Sequence, residues 1–445
     1  MNINENKKNR ILFALISLAI PTVIEEILST LLQYVDTAMV GQLGEKATAS
    51  VSVTTTIGWL SMCLPAAIAI SVQTLVAQNY GKKDTEAIRK IAETGIFIGI
   101  LLGISVEVIC IVLAPFIPSW MGAETSIRKD ASIYFIIITI PFILRSMQSI
   151  MAGALRGVKD SKTPMVISFI TNILNVILNY IFIYILNMGV IGAGIGSAIA
   201  YTIGGIAMFF AFNKNKLLHF SIQKPKFLEE YTPTLFKLAA PLFASNAASC
   251  AGYVVFAAQV SSLGTTIFAA HSIAVTAEQI FYIAGYGLRA ATSTLIGISI
   301  GEKDEKKYGQ VCRNSMFFTL SMQCLAGIVL FIVAHPLMTL FTSSPAVSDY
   351  GASVLRIVAF SEPFYGLMIV SEGIFYGCGN TKYPLKIQLI GMWLIRILPT
   401  FIFVHYIGAT LELIWYFMIA DNITKAILLI IPIIKKEKFR EVFPW

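Results

Sequence analysis

Residues 18–21 of the chain read Leu-Ala-Ile-Pro, and residues 238–241 read Leu-Ala-Ala-Pro. The same offset of 220 positions relates Val-Gly-Gln-Leu-Gly at 40–44 to Val-Ser-Ser-Leu-Gly at 260–264. Because separate motifs share one offset, the second half of the chain repeats the first without an insertion. Two repeated bundles of helices are the plan of many secondary transporters, in which the substrate binds between the halves.

Two further pairs of motifs extend the repeat through the loops. Gly-Lys-Lys-Asp at 81–84 returns as Gly-Glu-Lys-Asp at 301–304, and a Gly-x-x-x-Gly pattern at 153–157 returns at 373–377. The offset therefore persists past four helices and their connections. We predict two copies of one six-helix unit.

The composition places this repeat in a membrane. The 445 residues are 56% hydrophobic and 13% charged, with a mean hydropathy of +0.75. Crossing a bilayer takes about 20 apolar residues, and the chain offers twelve such stretches. We predict an all-α polytopic membrane protein, with twelve transmembrane helices in two parallel six-helix lobes related by a pseudo-twofold axis along the membrane normal. The predicted spans are 11–41, 49–78, 91–119, 131–155, 164–186, 190–213, 235–262, 266–300, 314–341, 350–378, 384–407 and 411–434.

The domain boundaries follow from one polar segment. Residues 214–234 are rich in Lys and contain two Pro residues, so they are predicted to link the lobes on the cytoplasmic side. We expect an N-terminal lobe at 1–213 and a C-terminal lobe at 235–445.

The basic residues predict the orientation in the membrane. Most of the 33 Lys and Arg residues lie in the N-terminal segment, the C-terminal segment and every second loop. Short loops that carry Lys and Arg stay in the cytoplasm. We therefore expect a multi-pass protein of the inner, or plasma, membrane with both termini cytoplasmic. The net charge of +8 then reflects topology and anionic lipid of the bilayer, with no nucleic acid as partner.

No pattern in the sequence indicates an enzyme. The four His residues are scattered, and the six Cys residues show no CxxC spacing. No nucleophile, metal or acid-base constellation is visible, and no repeated pore-lining motif indicates a channel. We expect a monomer that needs no organic cofactor.

The motifs resemble those of a known transporter family. Residues 33–44, the loop at 81–84, the loop at 153–164 and its counterpart at 377–384 are similar to the loop and helix patterns of the multidrug and toxic compound extrusion (MATE) family. The resemblance extends over essentially the full length. It implies a cation-coupled antiporter that exports amphipathic, cationic organic compounds (drugs and other xenobiotics) by alternating access, driven by H⁺ or Na⁺.

The alternative is a flippase for a lipid-linked or other anionic substrate, since such flippases look similar to extrusion transporters in fold. They favour cationic cavities, so the sign of the buried charge discriminates between the two. Within the predicted spans acidic residues outnumber basic ones. The balance favours a cationic substrate.

Asp36 is the first candidate for ion coupling. It lies in the outer half of the first span, with no basic residue within a helical turn on its own helix. An ionisable group in hydrocarbon needs a partner, a water-filled cavity or a function. We predict that Asp36 exchanges a proton or binds Na⁺; the alternative is an aspartate that is solvated at the end of a helix.

Three polar residues are predicted to complete this site. Asn175 and Asn179 lie on one face of the fifth span, and Ser197 lies on the sixth. The resemblance implies an Asp at the position of Asn179, so a second carboxylate is missing here. The oxygens of Asp36, Asn175, Asn179 and Ser197 could bind Na⁺ or hydrogen-bond a protonated Asp36; the alternative is a polar clamp between helices.

The second half differs where the first carries Asp36, because Phe256 takes that position. We predict that the second lobe mainly shapes the substrate cavity, with carboxylates for a cation and aromatic rings to stack on it. The predicted cavity residues are Gln33, Tyr34, Glu278, Tyr282 and Glu362.

The remaining intramembrane charges are predicted to form pairs or to lie at the cytoplasmic side or a rim. Glu278 could instead pair with Arg289 or another base. Asp421 and Lys425, four residues apart on the last span, are interpreted as a neutralising pair. One of Glu25 and Glu26 is predicted to line the cytoplasmic vestibule, and Glu372 is expected at an exposed rim.

Overall fold

The computed structural model describes residues 3–220 and 228–435. All regular structure within these two ranges is helical, which confirms the all-α class. Ten helices in them are each long and apolar enough to cross a bilayer, and two bent pairs of helices raise the number of spans to as many as twelve. Each of the twelve predicted stretches overlaps one of these spans.

The first half contains eight helices and one π-helical turn. A π-helical turn at Ile181–Ile185 extends the seventh helix. The helices are α1 (Ile3–Gly41), α2 (Glu45–Lys82), α3 (Thr85–Leu113), α4 (Ile117–Trp120), α5 (Thr125–Thr139), α6 (Phe142–Gly157), α7 (Lys162–Tyr180) and α8 (Gly189–Lys214).

The second half repeats the membrane spans of the first half, and its eleventh span departs most from a regular α-helix. Two π-helical segments, Ile390–Ile397 and Phe403–Ile407, interrupt that span. The helices are α9 (Leu228–Ser261), α10 (Thr265–Gly301), α11 (Glu305–Phe341), α12 (Pro345–Ala359), α13 (Glu362–Gly377), α14 (Lys382–Leu389), α15 (Leu398–Ile402) and α16 (Leu411–Ile434).

Two spans that were predicted as continuous are bent. The axes of α5 and α6 differ by 47°, and those of α12 and α13 differ by 57°. Thr139 and Ala359 end the first helix of each pair, so the bends keep the offset of the repeat. Pro141 and Pro363 lie at the start of the second helix of each pair. Proline has no N–H to donate to the preceding turn, so each break lies where the ladder of helical hydrogen bonds is interrupted.

Different contacts support the two bends. In the first half, the Glu107 carboxylate of α3 accepts a hydrogen bond of 3.3 Å from the backbone N–H of Ile143 in α6. In the second half, Gly327 takes the position of Glu107, and the carbonyl oxygen of Ala359 lies where a side chain at Gly327 would be. A side chain therefore caps one bend, and close backbone packing fills the other.

The repeated Gly-x-Lys-Asp motif ends one helix and begins the next. Lys83 and Lys303 adopt the left-handed conformation, with φ angles of 61° and 57°. Asp84 and Asp304 then cap α3 and α11, because each side chain accepts a hydrogen bond of 2.9 Å from the backbone N–H three residues on. The motif thus fixes the same turn in both halves.

The repeated Gly-x-x-x-Gly motif allows two helices to pack closely. A side chain at Gly153 would meet the backbone carbonyl of Ala69, and one at Gly373 would meet that of Arg289. Ala69 and Arg289 are themselves corresponding positions of the repeat. Small residues at these positions let the backbones approach, as they do in many membrane helix pairs.

The packed residues form two units whose boundaries differ from the predicted lobes. One unit comprises Ile24–Phe243, and the other comprises Met1–Val23 with Ala244–Trp445. Leu15, Leu18 and Ala19 of α1 accordingly share a hydrophobic core with residues of α10, α11 and α13. The division into 1–213, 214–234 and 235–445 stays a prediction of chain organisation.

Part of the predicted linker and some of the basic residues lie outside the described ranges. Residues 228–234 belong to α9, whereas 215–220 form no helix. Residues 221–227 with Lys224 and Lys226, and the C-terminal Lys436, Lys438 and Arg440, lie outside the described residues, as do the side chains of Lys7, Lys8 and Arg10.

Candidate functional site

A chain of hydrogen bonds joins the four residues that the sequence predicted for ion coupling. The Asn179 amide nitrogen donates to the Asp36 carboxylate at 2.9 Å and to the Asn175 side-chain oxygen at 3.2 Å. The Asn175 amide nitrogen in turn donates to the Ser197 hydroxyl at 2.9 Å. The structure thus brings together side chains from α1, α7 and α8 in a single network.

Local sequence explains why these helices meet at polar groups. Asn175 and Asn179 are one helical turn apart on α7, and both are fully buried. Ser197 follows Gly196 on α8, where a larger residue would collide with the Asn179 side-chain oxygen. Asp36 is partly buried on α1. Small residues on α8 therefore make room for the amides beside the carboxylate.

The network contains one carboxylate and several neutral oxygens. The Asn179 side-chain oxygen is buried and has no hydrogen-bond partner among the described residues. No group of three or more His, Cys, Asp or Glu side chains comes together anywhere in residues 3–220 and 228–435. A cation at Asp36 would therefore be held by one negative charge together with amide and hydroxyl oxygens, a hard-ligand set that suits an alkali ion or a proton.

A groove lies beside this network, toward the C-terminal end of α1. It has a volume of about 470 Å³ and is lined by Met39, Gln42 and residues of α7 and its π-helical turn, including Tyr180 and Tyr184. The Tyr184 hydroxyl donates to Gln42 at 2.9 Å. The groove thus has an apolar wall with a polar end.

Gln33 and Tyr34, the two cavity candidates on α1, lie just before Asp36. Gln33 is exposed and Tyr34 is partly buried. Their predicted contact with a substrate stays a prediction.

The predicted cavity residues of the second half form a buried group. Glu278 on α10 and Glu362 on α13 are 7% and 1% exposed, and they lie close enough to interact electrostatically. Gln323 of α11 donates to one Glu362 oxygen at 3.2 Å, and the other oxygen has no hydrogen-bond partner in the part of the chain that the structure describes. Two carboxylates thus share an interior that offers few donors.

Aromatic rings surround these carboxylates. The rings of Tyr282 and Tyr365 lie 4.9 Å apart at a steep angle, and the hydroxyls of Tyr286 and Tyr365 are 3.3 Å apart. Tyr282, which the sequence predicted for the cavity, therefore belongs to a cluster of three tyrosines. Tyrosine faces of this kind attract cations.

A buried ionic cluster lies on the last two spans. Asp421 contacts Lys425 at 2.9 Å, as the spacing predicted, and it also contacts Arg396 at 2.8 Å. Asn422 accepts a further hydrogen bond from Arg396 at 3.2 Å. All of these side chains are less than 5% exposed, so two buried cations share one aspartate. The sequence contained a signal for this, because a lone Arg in an apolar span requires an anion.

Two predictions about single carboxylates need correction or extension. Glu372 is not at an exposed rim: it is only 9% exposed and pairs with Arg289 at 3.1 Å. Arg289 therefore contacts Glu372, and Glu278 instead interacts electrostatically with Arg396. Glu25 accepts hydrogen bonds from Arg156 at 2.8 Å and from the Ser168 hydroxyl at 3.0 Å. Its place in a vestibule, like that of Glu26, stays a prediction.

Comparison with known families identifies both halves of the repeat. The sequence profile of the MatE family matches residues 21–181 and again residues 241–402. The two matches begin at corresponding positions of the repeat, with the same offset that the motifs show. The family assignment therefore covers most of the chain and includes the repeat itself.

Curated relatives are full-length counterparts. The Thermotoga maritima protein called Probable multidrug resistance protein NorM is 26% identical over 420 residues, which span 93% of this chain and 90% of that protein. The Vibrio cholerae Multidrug resistance protein NorM is also 26% identical, over 402 residues that cover 87% of this chain and 86% of the relative.

Solved structures share the fold. The Vibrio cholerae MATE transporter VcmN, in a mutant form, superposes with a TM-score of 0.92 at 20% identity and covers 98% of this chain and 99% of its own. A Pyrococcus furiosus transporter of the MOP superfamily, whose binding pocket is described as having reverse polarity, gives a TM-score of 0.89 at 19% identity over 95% and 94% of the two chains. One fold thus accompanies pockets of different polarity, so the fold alone does not decide the substrate's charge. From the profile and the full-length relatives, this multi-pass membrane protein belongs to the MATE family of multidrug efflux transporters.

Proposed function

We propose that the protein is an antiporter that exports amphipathic, cationic organic compounds and is driven by an inward flow of cations through Asp36. The observation that carries the proposal is the hydrogen-bond chain from Asp36 through Asn179 and Asn175 to Ser197. Polar side chains within a membrane span are costly and mark ion or substrate pathways. Here they converge on one carboxylate.

Ion coupling requires that the ion favour one state of the transporter over the other. A ligand shifts such an equilibrium only through its differential interaction with the two states. Occupation of Asp36 by a proton or by Na⁺ removes the one negative charge of the network. The carboxylate is therefore the group whose interactions with α7 change most during alternating access.

The hydrogen bonds favour a proton over Na⁺. Asn179 directs its N–H group at Asp36, and its own oxygen faces away toward Gly196. A proton on the second Asp36 oxygen leaves this bond intact, whereas a Na⁺ ion requires the Asn179 amide to turn its oxygen inward. Measurement of the coupling ion decides between the two.

The test is transport by the full chain in liposomes, with a fluorescent organic cation and with the pH and Na⁺ gradients imposed separately. We expect the pH gradient to drive uptake and Asp36→Asn to abolish gradient-driven transport. Glu107→Gln is the matched control, because it neutralises a carboxylate of the same half that lies outside the network. Undiminished coupled transport by Asp36→Asn would contradict the proposed role of Asp36.

The flippase alternative has one observation in its favour. Arg396 and Lys425 lie buried beside one aspartate in the second half, and a pair of buried cations suits an anionic substrate, although Glu278 also interacts with Arg396. The same liposomes with a lipid-linked anion as substrate test this. Transport of the anion and none of the organic cation would favour the flippase.

We further propose that both termini face the cytoplasm, that the protein works as a monomer in the inner membrane, and that it needs no organic cofactor. A membrane-impermeant thiol reagent tests the orientation in a background without the six native cysteines. Opposite sidedness of corresponding loops in the two halves would contradict it. Cysteines expected to react only from the cytoplasm replace Lys83, Lys224 and Lys306, and those expected to react from outside replace Glu45, Glu124 and Ser344.

A further inference from the structure

Arg396 is a buried cation of the second half that the proposed transport cycle does not use. Its guanidinium pairs with Asp421 at 2.8 Å, and Lys425 contacts the same aspartate at 2.9 Å. One carboxylate therefore faces two cations, which leaves one positive charge in excess. An uncompensated charge is costly inside a protein and inside a membrane span. The excess charge calls for a second anion.

Glu278 is the anion that interacts with this excess charge. The Glu278 carboxylate on α10 interacts electrostatically with the Arg396 guanidinium, and both residues belong to the same packed unit. Glu278 is buried and accepts no hydrogen bond from any residue of 3–220 or 228–435. The Nε atom of Arg396 is also buried, without a hydrogen-bond partner in those two ranges. Each group thus has capacity for a further polar partner.

Aromatic rings of α9 hold the guanidinium beside the predicted substrate cavity. The central carbon of the Arg396 guanidinium lies 5.9 Å from the ring centre of Tyr253 and 5.6 Å from that of Phe256. Ring faces at such distances attract cations. Tyr253 also interacts electrostatically with Glu278 and forms a hydrogen bond with Tyr365 of the tyrosine cluster. Arg396 therefore adjoins the aromatic group that surrounds the cavity carboxylates.

The repeat shows that this set of charges is specific to the second half. Glu278 and the three members of the ionic cluster have no acidic or basic residue at the corresponding positions of the first half. Arg396 also lies in the π-helical segment Ile390–Ile397, whereas the corresponding residues 170–177 are regular α-helix within α7. Such π-helical turns occur frequently at functional sites. The counterparts of the four charged residues are Gly58, Val176, Tyr201 and Gly205.

We propose that Arg396 is the internal counter-ion of Glu278 and thereby sets how tightly the second half binds a substrate cation. The inference rests on the proposed function, because it takes an organic cation as the ligand of Glu278. Without substrate, the guanidinium compensates the buried carboxylate. A bound organic cation meets the same positive charge, which weakens its binding and favours its release. Lys425 keeps a cation on Asp421 throughout.

The test is binding of tetraphenylphosphonium, an organic cation whose charge does not titrate, to the full chain in lipid nanodiscs by isothermal titration calorimetry. We expect Arg396→Gln to lower the Kd about tenfold. In liposomes, the same variant should lower both the KM and the maximal rate of transport. A merely structural role predicts the opposite sign, because a disrupted site binds more weakly. Arg396→Lys keeps the charge and should bind the cation as the wild type does.

Two comparisons assign the effect to Glu278. In a Glu278→Gln background, Arg396→Gln should change the Kd by less than about twofold, because the two substitutions remove the same interaction. Arg289→Gln is the matched control, since Arg289 is another paired arginine of the second half and its carboxylate is Glu372. This control should not tighten binding.

The melting temperature of Glu278→Gln provides a measurement that does not depend on how the Arg396 variants fold. Removal of a buried carboxylate that has no counter-ion should raise the melting temperature, because the cost of burying its charge disappears. Removal of the anion that compensates Arg396 should lower it, because a buried cation is left in excess. We expect a lower melting temperature.

Three outcomes overturn the proposal. They are unchanged or weaker binding by Arg396→Gln, equal tightening in the Glu278→Gln background, and a higher melting temperature of Glu278→Gln. A wild-type protein that binds no organic cation would instead contradict the proposed function, and the melting temperature would then decide whether Arg396 and Glu278 compensate each other.

Discussion

Corresponding positions in the two halves carry opposite chemistry. The first half has Asp36 beside the neutral amide of Asn179. The second half has Phe256 at the position of Asp36, and the ring lies 5.6 Å from the Arg396 guanidinium, which pairs with Asp421. The first arrangement leaves a carboxylate whose charge a single ion can remove. The second is held together by opposite charges that neutralise each other. One repeated scaffold thus provides a site whose charge can change and a site whose charges are fixed by pairing.

The largest effect should come from breaking the fixed site. Asp421→Asn leaves Arg396 and Lys425 buried without their carboxylate, and loss of one partner from a buried ion pair costs about 3–5 kcal/mol. We expect a large fall in melting temperature and in yield. Asp36→Asn is the matched control, because an amide at that position can still accept from Asn179. Equal melting temperatures of the two variants would contradict the contrast between the halves.

Transport should depend on the first half for ion coupling and on the second half for substrate preference. Glu278→Gln and Glu362→Gln remove carboxylates from the aromatic group of the second half, so we expect them to change the preference among organic cations while ion dependence persists. Competition between cations in the liposome assay measures this. Loss of ion coupling in either Gln variant, with coupling kept in Asp36→Asn, would reverse the assignment of the two halves.

A smaller effect is expected from the amide beside Asp36. Asn179→Ala removes the side-chain donor that contacts the Asp36 carboxylate, and a hydrogen bond to a charged group contributes about 1.5–3 kcal/mol. We expect the driving-ion concentration at half-maximal transport to shift by roughly tenfold or more. Asn172→Ala on the same helix is the control, because Asn172 has no hydrogen-bond partner within the described residues. Equal shifts in both variants would indicate a general effect on α7.

The smallest expected effects are losses of stability from single substitutions at the two bends. Glu107→Ala removes a partly exposed cap from Ile143, whereas Gln323→Ala removes the donor to the buried Glu362. We expect each to lower the free energy of unfolding by about 1 kcal/mol, with Gln323→Ala the more damaging because it leaves an acceptor unsatisfied. Thermal denaturation in detergent measures both. A larger loss from Glu107→Ala would mean that the first bend depends more on its side chain.

The fold and the first network were predictable because they depend on local rules. Long apolar stretches give spans, and a spacing of four residues puts Asn175 and Asn179 on one face. The partner of Arg396 was missed because it lies on the next span, and sequence periodicity carries no information about contacts between helices. The pairing of Arg289 with Glu372, 83 residues apart, was missed for the same reason.

The bends and the π-helical segments were missed for a different reason. Pro141 and Pro363 were visible in the sequence, but a proline can kink a membrane helix, end it or be accommodated without a change of direction. The π-helical turn after Tyr180 has no proline at all. In such places tertiary contacts decide between backbone conformations that differ little in energy.

The boundaries of the packed units carry a consequence for the genetics of the chain. The units divide at Val23 and at Phe243, which are themselves corresponding positions of the repeat, whereas the covalent repeat divides in the polar segment after α8. A gene that was split in that segment would encode two pieces, neither of which contains a complete unit, since Leu15, Leu18 and Ala19 of α1 belong to the core of the second. The two halves thus exchange the first part of their first helices, as the subunits of a domain-swapped dimer exchange an element, so we expect separately expressed halves to depend on each other to fold.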